Sequence, residues 1–139
     1  NIFTKLVNDM YILTHPESNR NDSGLNHVLV KEAAKNNVAI EINFRGILLA
    51  SKRTRNSIMR HMSNNVKLAK KFHAPIIICS GGISHFELRD PQIMMSMGNQ
   101  LGLELDKAKR CVYELPEKII RQSKERKSEK WVMPGVKIK

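Results

Sequence analysis

The order of apolar and polar positions along the chain alternates between short apolar runs and longer segments with helical spacing. Near-continuous apolar runs predict buried strands at 10–13, 38–44 and 76–79. Apolar residues three and four positions apart predict helices at 25–35, 55–72, 91–101, 106–113 and 116–127. The segment 131–138 is expected to be a final strand or an extended tail. Alternating strands and helices are typical of an α/β fold built on a parallel sheet.

The helix predicted at 55–72 has two different sides. Its apolar stripe consists of Ile58, Met62, Val66, Ala69 and Phe72. At 100° per residue, Arg60, Lys67 and Lys71 lie roughly 180° from that stripe. We therefore expect one side to pack into the core and the other to expose cations. His61 is also expected to be solvated.

The charge of the chain indicates what kind of partner it binds. The 139 residues contain 24 Lys and Arg against 13 Asp and Glu, for a net charge of +11, which favours a polyanionic partner. Aromatic residues make up only 5% of the chain, which disfavours a protein that binds single strands by base stacking. Between Ile42 and Phe86 there is no acid, and the cations there are Arg45, Lys52, Arg53, Arg55, Arg60, Lys67, Lys70 and Lys71. The stretch predicts phosphate contacts, with a solvated helix face as the alternative.

Length, apolar runs and cysteines limit the class of protein. The chain has the length of a single domain with its own core. No apolar run approaches the ~18 residues of a membrane-spanning helix, and no signal peptide is apparent. Cys79 and Cys111 lack metal-type spacing and are expected to be free thiols in a reducing compartment. We predict a cytoplasmic protein with no membrane contact.

The loop after the third predicted strand concentrates candidate chemistry. It begins Ser80-Gly81-Gly82 and then carries His85 and Arg89 among acids. Loops at the carboxyl ends of parallel strands commonly hold ligands. Gly81 and Gly82 either form a tight turn or present backbone N–H groups to a phosphate. Arg89 either pairs with a neighbouring acid or contacts RNA.

An ordered set of sequence blocks resembles the ribonuclease P protein component 3 family, which is archaeal. The blocks are 12–17 with Arg20, 22–28, 38–44, 80–91, 116–119 and 132–136. The resemblance covers most of the chain. The likeness depends on the order in which the blocks occur and not on any single strong motif.

This resemblance implies an α/β fold of the TIM type, a barrel like that of polymerase-and-histidinol-phosphatase (PHP) proteins. Family members carry further N-terminal strands, so the chain is expected to be the C-terminal portion of that barrel, as a single domain over 1–139. A closed barrel needs about 200 residues or more. The implied role is a non-catalytic subunit of the ribonucleoprotein whose RNA removes 5′ leaders from precursor tRNA. The implied partners are ribonuclease P RNA and protein component 2, with Mg²⁺ on the RNA and no cofactor on this chain.

The residue pattern and the resemblance together give individual positions expected roles. Arg20 and Arg89 at the loop rim join the cations of the acid-free stretch as expected RNA contacts. His15 is expected to form hydrogen bonds at the barrel rim. Glu41, a carboxylate inside an apolar strand, needs a partner, and Arg45 or Arg89 is expected to supply it.

Two alternatives remain. The first is a PHP-type metal-dependent phosphoesterase, in which His15 would be a ligand. The Ser-Asp-x-His loop of that family matches Ser80, Gly81 and Gly82 here, with His85 displaced, so no metal site is expected. The second is a basic scaffold that binds only protein.

Overall fold

The computed structural model describes residues 10–18, 21–128, 131–133 and 136–137. Arg20 lies outside the described residues. The elements in chain order are β1 (Ile12–Leu13), α1 (His27–Lys35), β2 (Ala39–Asn43), α2 (Phe44–Leu49), α3 (Lys52–Phe72), β3 (Ile76–Cys79), a 3₁₀-helix (His85–Glu87), α4 (Pro91–Gln100), α5 (Leu105–Val112), α6 (Glu114–Arg126), β4 (Trp131–Met133) and β5 (Val136–Lys137).

The first three strands form a parallel sheet in the order β1-β2-β3. Ile12 pairs with Ala39 at one side of β2, and Asn43 pairs with Cys79 at the other. Every residue of β2 is buried, as expected for a central parallel strand that is covered on both faces. β4 and β5 form a separate antiparallel pair. The predicted α/β class with a parallel sheet is confirmed, and the carboxyl ends of β1, β2 and β3 meet at one edge.

The long helix α3 buries the predicted stripe. Met62, Val66 and Ala69 are completely inaccessible, and Ile58 and Phe72 are partly buried against the same core. Hydrophobic burial of this kind contributes roughly 1.5–3 kcal/mol per large side chain. The stripe therefore fixes which side of α3 faces the sheet.

Two features of α3 differ from the sequence prediction. The helix begins at Lys52 rather than near residue 55, because a separate short helix, α2, precedes it. His61 is 6% exposed and therefore buried, so the expectation that it is solvated is wrong. It lies one turn from the fully buried Asn65, which shows that the buried side of α3 is wider than its apolar stripe.

Helix α2 was missing from the sequence prediction, which extended the second strand to residue 44. The chain leaves β2 at Asn43, whose Oδ1 accepts a hydrogen bond from the Arg45 backbone N–H at 3.0 Å and caps the new helix. At the other end, the Arg55 guanidinium donates to the carbonyl oxygens of Ile47 at 2.9 Å and Ala50 at 3.0 Å. These bonds satisfy carbonyls that a helix end leaves unpaired, so Arg55 stabilises the α2–α3 junction.

Helix α4 begins as the sequence indicates and packs closely on the sheet. Pro91 is its first residue, and Asp90 Oδ1 accepts a hydrogen bond from the Gln92 N–H at 2.7 Å. A Cβ added at Gly98 would lie 2.6 Å from Ile78 Cδ1 and 3.2 Å from Ala108 Cβ. Gly98 thus allows α4 to approach β3 and α5. Among the described residues, no helix combines the length and apolar character that crossing a bilayer requires.

Candidate nucleic-acid interface

Helix α3 displays a row of exposed cations. Arg53, Arg60 and Lys67 are seven residues apart, so each step along the helix is about 10 Å. Lys52 lies beside the first of them. Within the described part of the chain, the side chains of these four residues make no hydrogen bond or ion pair. We call Arg53, Arg60 and Lys67 the α3 cation row; its charges are free to meet an external anion.

Other cations of the acid-free stretch already have partners. Lys70 Nζ donates to the Gly102 carbonyl oxygen at 2.9 Å and lies 3.9 Å from Glu104. Lys71 Nζ lies 5.5 Å from the centre of the Phe72 ring, within cation–π range. Both side chains remain exposed. Their roles as RNA contacts stay predictions.

The loop after β3 is held closed by one carboxylate. Glu87 Oε2 accepts hydrogen bonds from the Ile83 backbone N–H and from Arg45 Nε, both at 2.9 Å. The Ile83 bond, followed by the Arg45 bond, lowers the pKa of Glu87 below its usual value. Arg89 donates to the carbonyl oxygens of Phe86 at 2.8 Å and Leu88 at 2.7 Å. The loop is thus shaped by its own contacts before any ligand arrives.

The first residues of this loop pack directly on β2. Gly81 has a φ of +60°, and a Cβ there would lie 2.2 Å from the Asn43 side chain. Only glycine fits both the space and the left-handed conformation. Ser80 and Gly82 are half-buried beside it, and the exposed His85 ring lies 3.9 Å from the Phe86 ring. The tight-turn interpretation of Gly81 therefore has a structural basis.

Glu41 has a different partner from the one expected. Arg45 binds Glu87, and Arg89 binds backbone carbonyls, so the prediction that either of them neutralises Glu41 is wrong. Glu41 Oε1 instead accepts hydrogen bonds from Cys79 Sγ at 2.6 Å and from Asn43 Nδ2 at 3.2 Å. The reason is register: the end of β2 pairs with the end of β3, which places Cys79 beside the carboxylate. Burial, and then the hydrogen bond to Glu41, raises the pKa of Cys79 to about 12.

His15 lies just after β1, at the carboxyl edge of the parallel sheet. It follows β1 with a φ of +45°, a conformation that a non-glycine residue rarely adopts. Its Nε2 lies 3.2 Å from Asn43 Nδ2. With Asn43 as the donor, Nε2 accepts and the ring proton is on Nδ1. The sequence expectation of a hydrogen-bonding histidine is confirmed.

A cavity of about 380 Å³ opens beside His15 at the carboxyl edge of the sheet. We call it the edge cavity. Residues from the β1 loop, α2 and α3 line it, among them His15, Glu17, Gly46, Thr54, Ser57 and His61. Large concave sites at this edge are common ligand positions in α/β proteins.

Glu17 is the buried acid of the edge cavity. It is 7% exposed, and its Oε2 has no hydrogen-bond partner among the described residues. Burial raises the pKa of this carboxyl above its usual value. Gly24 brings the loop into place, because any Cβ there would overlap the Pro16 carbonyl. The sequence analysis did not single out Glu17, and it expected His61 to be solvated. The one signal for Glu17 was that it ends the 12–17 block of the family resemblance.

The described residues contain no group of three or more His, Cys, Asp and Glu side chains arranged to hold a metal ion. His15 and His85 belong to different loops, and His15 is engaged with Asn43.

Comparison with solved structures shows a strong likeness to a chain of an archaeal ribonuclease P. A chain in the cryo-EM structure of archaeal ribonuclease P with mature tRNA superposes with a TM-score of 0.86 at 33% sequence identity. The match covers 98% of this chain and 58% of that chain. The arrangement of strands and helices described above is therefore shared with an archaeal ribonuclease P subunit.

Similar proteins and a family model point the same way. Ribonuclease P protein component 3 of Methanosarcina acetivorans is 37% identical over 127 residues, and that of Methanococcus maripaludis strain S2 is 33% identical over 132 residues. These matches cover 91% and 95% of this chain but 52% and 56% of the relatives, so the chain spans about half of their length. The model of RNase P subunit p30 matches residues 1–128. The chain belongs to the RNase P subunit p30 family.

Proposed function

We propose that this chain acts as a protein subunit of ribonuclease P and supports the removal of 5′ leaders from precursor tRNA by binding the catalytic RNA. The observation that carries the proposal is the α3 cation row, which is exposed and unpaired within the described structure. Family membership supports it, as does the likeness to a chain of an archaeal ribonuclease P. In this proposal the RNA carries the chemistry, and the chain binds no cofactor of its own.

The RNA contact is electrostatic. Each phosphate that a Lys or Arg neutralises releases counterions and steepens the dependence of log K on log salt by about 0.7 to 0.9. Arg53, Arg60 and Lys67 present their charges at intervals of about 10 Å along one helix face. Lys52 adds a charge at the start of the same helix, and Lys71 adds one near its end, where its ammonium also contacts the Phe72 ring. Arg45, Arg55, Lys70 and Arg89 keep their charge while their heads are fixed by internal contacts, so we expect them to contribute less.

We further propose that the parallel sheet is part of a PHP-like barrel of the TIM type, and that its surface binds protein component 2 while Mg²⁺ remains on the RNA. The parallel order β1-β2-β3 with covering helices supports the barrel. The share of the relatives that the chain spans supports its assignment to one portion of that barrel.

The test is cleavage of precursor tRNA by the cognate RNA and the other protein subunits at low Mg²⁺, with and without this chain. We expect leader removal to increase when the chain is present. The variant Arg53→Glu/Arg60→Glu/Lys67→Glu should lose this stimulation and the salt dependence of RNA binding. Its matched control is Lys109→Glu/Lys118→Glu/Arg121→Glu, which changes the net charge equally on exposed positions of α5 and α6.

Three outcomes separate the alternatives. Equal loss of function in both charge-reversal variants would mean that RNA binding depends on the total positive charge and not on the α3 cation row. Full activity in the α3 variant would overturn the assignment of the α3 cation row. Stimulation that depends on protein partners but shows no RNA affinity would favour the protein-binding scaffold.

A further inference from the structure

The edge cavity contains a buried hydrogen-bond acceptor that has no donor among the described residues. Glu17 Oε2 is buried and unpartnered among the described residues, and the Glu17 side chain lines the cavity wall. A buried acceptor without a donor costs roughly as much as a lost hydrogen bond. The site is therefore suited to a ligand that brings a donor into the cavity.

The surroundings restrict what that ligand is. Lys52 and the α3 cation row lie on the same helix as the cavity wall, so a free cation would meet repulsion on its approach. The described residues also lack a metal-binding cluster. A polyanion that carries neutral donor groups satisfies both conditions, and RNA has this chemistry: negative phosphates with amino-bearing bases.

The geometry of α3 connects the cations to the cavity. Thr54, Ser57 and His61 line the cavity at helical spacing, whereas Arg53 and Arg60 lie about a quarter turn away at 100° per residue. Ser51 makes no side-chain cap on the first turn of α3, so the first N–H groups of the helix receive no hydrogen bond from its side chain. An RNA strand bound along the α3 cation row would therefore pass the opening of the edge cavity.

We propose that the edge cavity is a subsite for one unpaired RNA base, and that Glu17 accepts a hydrogen bond from the amino-bearing edge of that base, guanine best of all. This inference rests on the proposed RNA-binding function. The volume of about 380 Å³ accommodates a single base, with Ile58 as an apolar contact and His61 on the buried wall. Unpaired bases are commonly turned out and bound on their pairing edges.

Base identity follows from the acceptor. Guanine places an N1–H and an N2 amino group side by side, which suits a carboxylate. Inosine keeps the N1–H and lacks the amino group. Uracil has one N–H between two carbonyl oxygens, and the carboxylate repels those oxygens. The expected order of affinity is therefore guanine, then inosine, then uracil.

The test uses fluorescence anisotropy with labelled nine-residue oligouridines that carry guanosine, inosine or uridine at the centre. The unsubstituted chain should bind the guanosine oligomer about tenfold more tightly than oligouridine, the range typical of a specific base contact. Glu17→Gln should reduce this preference to within about twofold while the salt slope stays unchanged, because the phosphate contacts are intact. Glu117→Gln removes the same charge at an exposed position of α6 and should keep the full preference.

A second variant protects the test from a folding artefact. Ser57→Phe fills the cavity without altering a charge and should also abolish the preference, with circular dichroism verifying the fold. Salt-dependent binding with no base preference, or a preference that survives Glu17→Gln, overturns the subsite alone. Absence of any salt-dependent binding overturns both the subsite and the proposed RNA-binding function.

Discussion

At the scale of single residues, the buried carboxyl of Glu17 in the edge cavity makes the free energy of unfolding depend on pH. Burial raises its pKa above the usual 4.5 and Glu41 adds to this, while its own backbone N–H and the nearby His15 and His61 rings offset the increase only in part. The folded state therefore binds the Glu17 proton more tightly than the unfolded state does. As the pH rises through the unfolded value near 4.5 and on through the raised folded value, this group lowers the free energy of unfolding.

Glu17→Gln removes that penalty. We expect the variant to be more stable than the parent at pH 7, because the neutral amide avoids burying a negative charge, by on the order of 1 kcal/mol, the size of most single-substitution effects. The difference should vanish below pH 4.5, where Glu17 is itself protonated in both states. Urea denaturation at several pH values measures it. The exposed control Glu117→Gln should stay within about 0.5 kcal/mol at every pH. A Glu17→Gln variant that is less stable at pH 7 would contradict the assigned environment of this carboxyl.

At the scale of elements, α3 separates cations that maintain the fold from cations that are available for RNA. Arg55→Ala removes two hydrogen bonds to the end of α2 and should lower the free energy of unfolding by about 1 kcal/mol. Arg60→Ala removes an unpaired charge, so it should leave stability unchanged and reduce the salt slope of RNA binding by about 0.7 to 0.9. Denaturation and anisotropy on both variants check the pair. Identical effects of the two substitutions would refute the division.

The same elements show what local sequence determines. The stripe Met62, Val66 and Ala69 was predictable because helical periodicity is a local property. Helix α2 was not, since its first turn is capped by Asn43 and its last by Arg55, and neither signal differs from an ordinary polar residue in sequence. The burial of Glu17 and His61 depends on loops meeting across the fold. Such contacts between distant segments leave no periodic trace in the chain.

At the scale of the whole molecule, one core connects the sheet to the helices that cover it. Ile40 and Ile42 from β2, Met62 from α3 and Leu101 after α4 belong to the same buried cluster. We therefore expect the chain to unfold as one cooperative unit, as small single domains usually do. Loss of far-UV circular dichroism and exposure of the buried Cys111 thiol to a labelling reagent should then have the same midpoint in urea.

Gly98→Val makes this expectation discriminating. The new side chain would press on Ile78 of β3 and Ala108 of α5, and overpacking of this kind costs about 1–3 kcal/mol. Because one core transmits the strain, both midpoints should fall together by the same urea concentration. If only the thiol midpoint moved, α4 and α5 would unfold separately from the sheet. The prediction that this chain is a single domain would then be wrong. Coincident shifts would mean that the sheet and its covering helices unfold together. A ligand bound at the α3 cation row or in the edge cavity would then raise the free energy of unfolding of the whole unit.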